Sequence, residues 1–303
     1  VRFELTTDQR DFAASLDALL SAADSVAVAR AWAAGDHAPG LALWERLAEQ
    51  GLTMLATEAT PVELCVAFEA LGRHAVPGPW VEAAAYLPLA LGAEVEGVAT
   101  VAMPYALDAD VAGQVYAVAG GGLHTATAGA ALASVDRSRH LFEVTVGDAV
   151  DADGDLAAAY DLAVLATAAQ LLGAGERVLA DAVTYVKQRK QFGREIGSYQ
   201  AIKHKLADVR IALDFARPLV HGAALVSAGS TGERARAVSA AKVACADAAY
   251  LASRTGLQVH GAIGYTQEFD LSVWITKIRA LVTAWGTPAE HRARILDSLV
   301  GSA

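Results

Sequence analysis

The run from Leu156 to Lys190 reads as one long helix, and a helix of that length needs other helices to cover it. It is rich in alanine, which loses no side-chain entropy on becoming helical. A second helix is expected from Tyr199 to about Ser227, with Ile202, Leu206, Val209 and Leu213 at helical spacing. Gly229-Ser230-Thr231-Gly232 reads as a loop. Two further helices follow near Glu233–Leu257 and Leu271–Ala284, then a short one from Pro288. Residues 156–303 therefore predict a four-helix bundle.

The first third is also helical. Thr6-Thr7-Asp8-Gln9 is a capping box ahead of Phe12, Leu16, Leu19 and Leu20. A second helix should carry Leu41, Leu43, Trp44 and Leu47 and stop at Gly51. Thr60-Pro61-Val62-Glu63 places an N-cap, a first-turn proline and a third-position glutamate in sequence, and starts a third helix. Pro77-Gly78-Pro79 breaks the chain before a fourth helix, Trp80 to Leu91. After Gly92 the texture changes. Val98 to Met103, Gln114 to Ala119 and Leu141 to Val146 are short and β-branched, with turns at Gly120-Gly121-Gly122 and Asp136-Arg137-Ser138. A small antiparallel β unit is expected over 95–155, behind an N-terminal helical domain of 1–94. The fold class is mainly α with a small β unit.

Composition narrows the function. The chain has 303 residues, 54% of them hydrophobic, and a formal charge of −10. That is ample apolar material for a core and a poor match to nucleic acid or anionic membranes. Cys65 and Cys245 form no CxxC pair or disulfide framework, which fits a reducing cytosol. Val1-Arg2-Phe3-Glu4 does not open a signal peptide, and the uncharged stretch Leu162–Gly175 reads as too short to span a bilayer. A cytoplasmic protein is expected.

Familiar catalytic signatures are missing: no GxGxxG opening a βα unit, no P-loop, no HExxH and no GxSxG. The eight histidines lack metal-ligand spacing and read as surface or capping residues, so no metal is expected. Three segments stand out. Tyr185 to Arg194, followed by Gln200-Ala201-Ile202, is a basic helix end, a glycine turn and a new helix, which by itself is a solvated cap. Gln258-Val259-His260-Gly261-Ala262-Ile263-Gly264-Tyr265 ends a helix in a turn whose glycines permit close backbone approach. Trp285-Gly286-Thr287 is the third.

In order and spacing, these segments resemble the acyl-CoA dehydrogenase family, which has Arg-x-x-Phe-Gly, Gln-Ala-Ile, Gln-x-x-Gly-Gly-x-Gly-Tyr and Glu-Gly-Thr. Glu69-Ala70-Leu71-Gly72-Arg73 also fits that family. The resemblance implies FAD bound between subunits. It implies that Arg189 meets the pyrophosphate of a neighbouring subunit's FAD, for which a guanidinium fork is suited. Phe192 would pack beside that cofactor and Gln200 would hydrogen-bond it. Gln258 and Gly261 would lie along the ADP half, and Thr287 would touch the cofactor of its own subunit.

The departures point away from independent catalysis. The family's reaction removes the proton alpha to a thioester carbonyl and needs a carboxylate there. Trp285 stands where that glutamate directly precedes Gly-Thr. The family's other base position falls at or near Ala163, with Asp161 the nearest acid. The family's Thr-Glu-Pro and Gly-Ser-Asp flavin segments are absent, and its second glycine in Gln-x-x-Gly-Gly is Ala262. The resemblance is thus to the shortened subunit of actinobacterial acyl-CoA dehydrogenases of steroid side-chain degradation. In those, a complete subunit pairs with a shortened one in a heterotetramer with two copies of each. It implies a full-length homologue as partner, a shared FAD and an acyl-CoA held mainly by that partner. Two alternatives remain: a flavin-free scaffold or regulatory homologue, and an active homo-oligomer whose base is Glu268 or Asp270.

Overall fold

The computed structural model describes residues 4–227 and 233–300. The expected loop at Gly229-Ser230-Thr231-Gly232 lies outside them.

The chain opens with helices α1 (Thr7–Ala22), α2 (Ser25–Ala33) and α3 (Ala38–Glu49). A short α4 (Leu55–Glu58) and then α5 (Pro61–Arg73) follow. Thr6 and Gln9 form the expected capping box on α1, and Thr60 and Glu63 form the one on α5. Gly51 turns the chain after α3 with φ +83°, a conformation open to glycine. α2 had no sequence signal beyond apolar spacing; its N-cap is Asp24, in the left-handed region. The helix from Trp80 to Leu91 is not regular. It takes a π turn over Glu82–Tyr86 before α6 (Leu87–Leu91). π turns inside helices concentrate at functional sites.

The β unit is a five-stranded sheet of order β1-β3-β4-β5-β2, made of β1 (Ala99–Ala102), β2 (Ala106–Leu107), β3 (Gln114–Ala119), β4 (Gly122–Leu132) and β5 (Leu141–Ala149). It is mixed rather than antiparallel, because β1 pairs parallel with β3. After β1 the chain crosses to the far edge, lays β2 antiparallel to β5, and returns to place β3 beside β1. β4 was not legible in the sequence. It is Gly- and Ala-rich and mostly exposed, and ladder pairing with β3 and β5 holds it rather than side-chain preference.

The rest is helical: α7 (Leu156–Gln188), α8 (Gln200–Ser227), α9 (Arg234–His260), α10 (Leu271–Thr283) and α11 (Pro288–Val300). α7 is long and apolar enough to cross a bilayer, yet it forms the buried centre of the bundle. α5 crosses α7 at Gly72 and Gly173, where any added Cβ would strike the backbone of Gln170 or Glu69. Beside that crossing Arg217 joins Glu69 of α5 to Glu176 of α7, at 2.8 and 2.9 Å. The N-terminal helices are thereby fixed to the bundle. Cys65 and Cys245 are free and buried in the shared core.

Candidate functional site

The Trp285 segment, which the resemblance sets at the family's base position, is built by the end of α10. Lys242 enters from α9, fully buried, and donates to the carbonyls of Leu281 (2.9 Å), Val282 (3.2 Å), Ala284 (2.9 Å) and Gly286 (3.4 Å). Leu281 and Val282 are among the carbonyls that the end of α10 leaves unpaired, and Ala284 and Gly286 belong to the turn after it. Burial pulls the ammonium down to about 7. The chain then turns through Trp285 at φ +55°. Its carbonyl accepts from the Tyr160 hydroxyl at 3.1 Å and lies 2.9 Å from His291 Nε2. The indole is buried and packs 5.1 Å from the Tyr86 ring. A bulky residue with positive φ is strained, so the fold over-determines this turn.

Ala163 is buried in the core and lines no cavity beside Trp285. Asp161 cannot act in its place. Arg234 (2.8 Å) and Arg294 (2.6 Å) occupy its two oxygens. Glu268 and Asp270 also stand elsewhere. The Asp270 carboxylate and the Glu268 carbonyl both meet Arg30, and neither residue lines the Trp285 cavity.

An acid that sequence reasoning missed stands next to Trp285. Glu82, on the π turn, is 5% exposed, and its Oε2 has no hydrogen-bond partner among the described residues. Burial pushes its carboxyl up to about 7, with Arg139 and the Trp285 indole pulling the other way. Glu82, Trp285, Arg139 and Arg279 line a cavity of about 600 Å³, within the usual range for small-ligand sites. The only available signal was a glutamate inside an otherwise apolar helix, Trp80 to Leu91.

This carboxyl gives a pH prediction. A folded pKa raised above its unfolded value means that Glu82 stabilises the fold fully below about 4.5, and the contribution is lost as pH rises through about 7. Glu82→Gln should therefore raise the thermal midpoint at pH 8, by an amount on the order of 3 kcal/mol of stability. At pH 4 the variant and the parent should unfold alike. Midpoints that differ equally at both pH values would show that Glu82 keeps an ordinary carboxyl.

The other predicted residues sit at the far end of the bundle. α7 ends at Arg189, and the strands β6 (Lys190–Gln191) and β7 (Arg194–Glu195) form a hairpin closed by Phe192 and Gly193. Both loop residues have positive φ, +53° and +79°, as a two-residue hairpin turn of this hand requires. Phe192 is 92% exposed there. A strained, solvated phenylalanine gains nothing in the isolated chain. Gln200 opens α8 and is exposed, and exposed Gln258 lies in the last turn of α9. Gly261 ends α9 at φ +64°, ψ −140°, a region essentially restricted to glycine. Val186, Val259, Ile196 and Ile202 pack together beneath these residues and hold the three helix ends in one place. The Arg189 side chain has no ion pair or hydrogen bond among the described residues.

Thr287 is not part of that group. Tyr160, beside the Trp285 turn, and Arg189 are separated by roughly 40 Å of α7 at about 1.5 Å rise per residue. The Thr287 hydroxyl and N–H both donate to Glu290, at 2.8 and 2.7 Å, as the cap of α11.

Residues 159–300 match the family model described as acyl-CoA dehydrogenase, C-terminal domain. The chain is 29% identical over 296 residues to acyl-CoA dehydrogenase IpdE2 of Mycobacterium tuberculosis, covering 89% of this chain and 90% of that protein. Its fold matches the ChsE4-ChsE5 complex from Mycobacterium tuberculosis with a TM-score of 0.82 at 20% identity, over 99% of both chains. A Tcur3481-Tcur3483 steroid ACAD matches equally, with a TM-score of 0.82 at 20% identity over 97% of this chain and 98% of that one.

Proposed function

We propose, from the match of residues 159–300 to the acyl-CoA dehydrogenase C-terminal domain model and the fold that the whole chain shares with solved acyl-CoA dehydrogenases, that it is a non-catalytic or half-site subunit of an FAD-dependent complex. The complex dehydrogenates an acyl-CoA thioester between its alpha and beta carbons. The steroid ACAD and the two-component complex among its structural relatives favour a steroid side-chain thioester and a full-length homologue as partner.

One observation carries this reading: the position of the family's base is a buried tryptophan, locked in a left-handed turn by Lys242 and His291. An indole cannot take a proton from carbon. The bundle end at Arg189 fits the ADP half of FAD, since it offers an unpaired guanidinium, an exposed aromatic ring and a glycine with open space above its Cα. Bound FAD supplies the hydride acceptor. This chain's part is to hold: Arg189 forks onto the pyrophosphate, Phe192 packs beside the cofactor, and Gln200, Gln258 and Gly261 border the ADP half. Thr287 would serve a cofactor in its own subunit. The surface also suits an obligate partner. Ile211, Phe215 and Leu219 form an exposed stripe on α8 at a spacing of four, with Tyr250 and Leu251 exposed on neighbouring α9.

The purified chain alone should reduce no dye with any acyl-CoA, whereas the chain co-expressed with its full-length homologue should turn over and carry FAD. Turnover by the partner-free chain would sink the proposal. It would favour a second reading, an active homo-oligomer in which Glu82 is the base. Glu82 supports that reading because it is among the residues lining the Trp285 cavity, and its Oε2 has no hydrogen-bond partner among the described residues. Under it, Glu82→Gln abolishes turnover; under the first reading it leaves the activity of the complex intact.

A further inference from the structure

Two histidines and an aspartate, far apart in sequence, meet where the N-terminal helices touch the sheet. His37 precedes α3 and caps it with no side-chain hydrogen bond. Asp110 lies just after β2, and His140 just before β5. The β2–β5 ladder sets the last two in register, reinforced by Asp108 N–H donating to the His140 carbonyl at 2.6 Å. His37 Nε2 and His140 Nδ1 are 3.3 Å apart. Asp110 Oδ2 is 3.3 Å from His140 Nδ1 and 3.6 Å from His37 Nε2.

That triangle has the size of a metal's coordination face. Ligands about 2.05 Å from a tetrahedral zinc ion lie roughly 3.3 Å from one another. Hydrogen bonding alone fits the triangle poorly. If one imidazole N–H donates to the other ring, the accepting nitrogen's lone pair faces the Asp110 carboxylate. If both rings donate to Asp110, their N–H groups face each other. A cation at the centre satisfies all three lone pairs at once. The rings are also held in place. Trp32 packs edge-on to His37 with centroids 4.7 Å apart, and donates its indole N–H to Asp108 Oδ1 at 3.1 Å. The same oxygen accepts the His140 backbone N–H at 3.0 Å. Asp108 is fully buried, and its second oxygen has no partner among the described residues. Asp108 thus fixes the backbone of His140 and the Trp32 indole that packs on His37.

We propose that His37, His140 and Asp110 bind one divalent transition-metal ion of the zinc class. Imidazole and carboxylate donors without thiolate suit zinc, cobalt or nickel. The three side chains are 17%, 23% and 31% exposed, so the fourth coordination position is open to water. The ion ties α3 to the sheet. Leu107 and Arg139, chain neighbours of Asp108 and His140, line the Glu82 cavity, so the ion also steadies one wall of it.

The test uses the full chain, dialysed against chelator and titrated with zinc by calorimetry and with cobalt(II) by visible absorption. One equivalent should bind, with the intense d–d bands of tetrahedral cobalt and a rise in thermal midpoint. His140→Gln and Asp110→Asn should each weaken binding by more than about 10-fold, and His37→Gln with His140→Gln should abolish it. Far-ultraviolet circular dichroism of the metal-free variants checks that they fold. Absence of stoichiometric binding to the parent overturns the site. So does parent-like binding by a folded double variant.

Discussion

Replacing Arg189 by alanine is expected to weaken FAD binding by the assembled complex roughly 10–150-fold while leaving the subunits associated. The figure follows from the loss of a charge-assisted hydrogen-bond pair of about 1.5–3 kcal/mol. The guanidinium stands at the end of α7, exposed and unpaired, so its removal leaves no orphaned partner within this chain. Arg189→Lys should recover only part of the affinity, because an ammonium cannot fork across two phosphate oxygens. The measurement is the flavin-to-protein absorbance ratio after dilution. If Arg189 only caps α7, stability moves by a few tenths of a kcal/mol and the flavin ratio stays at the parent value. In that case the roles proposed for Phe192, Gln200 and Gln258 fall with it, and the flavin-free scaffold becomes the better reading.

Lys242→Met should lower unfolding stability by about 3 kcal/mol. Methionine keeps most of the volume but donates nothing. The carbonyls of Leu281, Val282, Ala284 and Gly286 then lose a shared donor at a buried helix end. Orphaned buried acceptors cost about 1–3 kcal/mol each. Relief from burying an ammonium offsets part of the total. The turn at Trp285 should loosen in step, since Lys242 anchors the backbone on both sides of it. Chemical denaturation measures the first effect, and near-ultraviolet circular dichroism of the indole band measures the second. An unchanged denaturation midpoint would mean that water replaces the ammonium without loss, and that the turn does not depend on Lys242.

Much of the architecture was legible because its signals are local. Capping boxes at Thr6 and Thr60 announce α1 and α5, and the apolar periods of α7 to α10 announce the bundle. Arg189, Phe192, Gln200, Gln258 and Gly261 were grouped by the family resemblance alone; the structure adds that the helix ends carrying them are packed together. β4 was not legible, because alanine and glycine carry little strand preference and the strand exists through its neighbours.

The Trp285 turn shows the division most clearly. The sequence by itself determined that Trp285 and Ala163 bring no carboxylate, since side-chain chemistry is local. It also placed Glu82 in an apolar helix and scattered His37, Asp110 and His140 over three segments. Only the tertiary structure decided that a π turn buries Glu82 against Trp285, and that the crossing of β2 to the far edge of the sheet carries Asp110 to His140 and His37. Burial and convergence belong to several segments at once, so neither can be read from any one of them. What raises the Glu82 carboxyl to about 7 is the desolvation that comes with that burial, and it exists only once the N-terminal helices, the sheet and the bundle have closed around it.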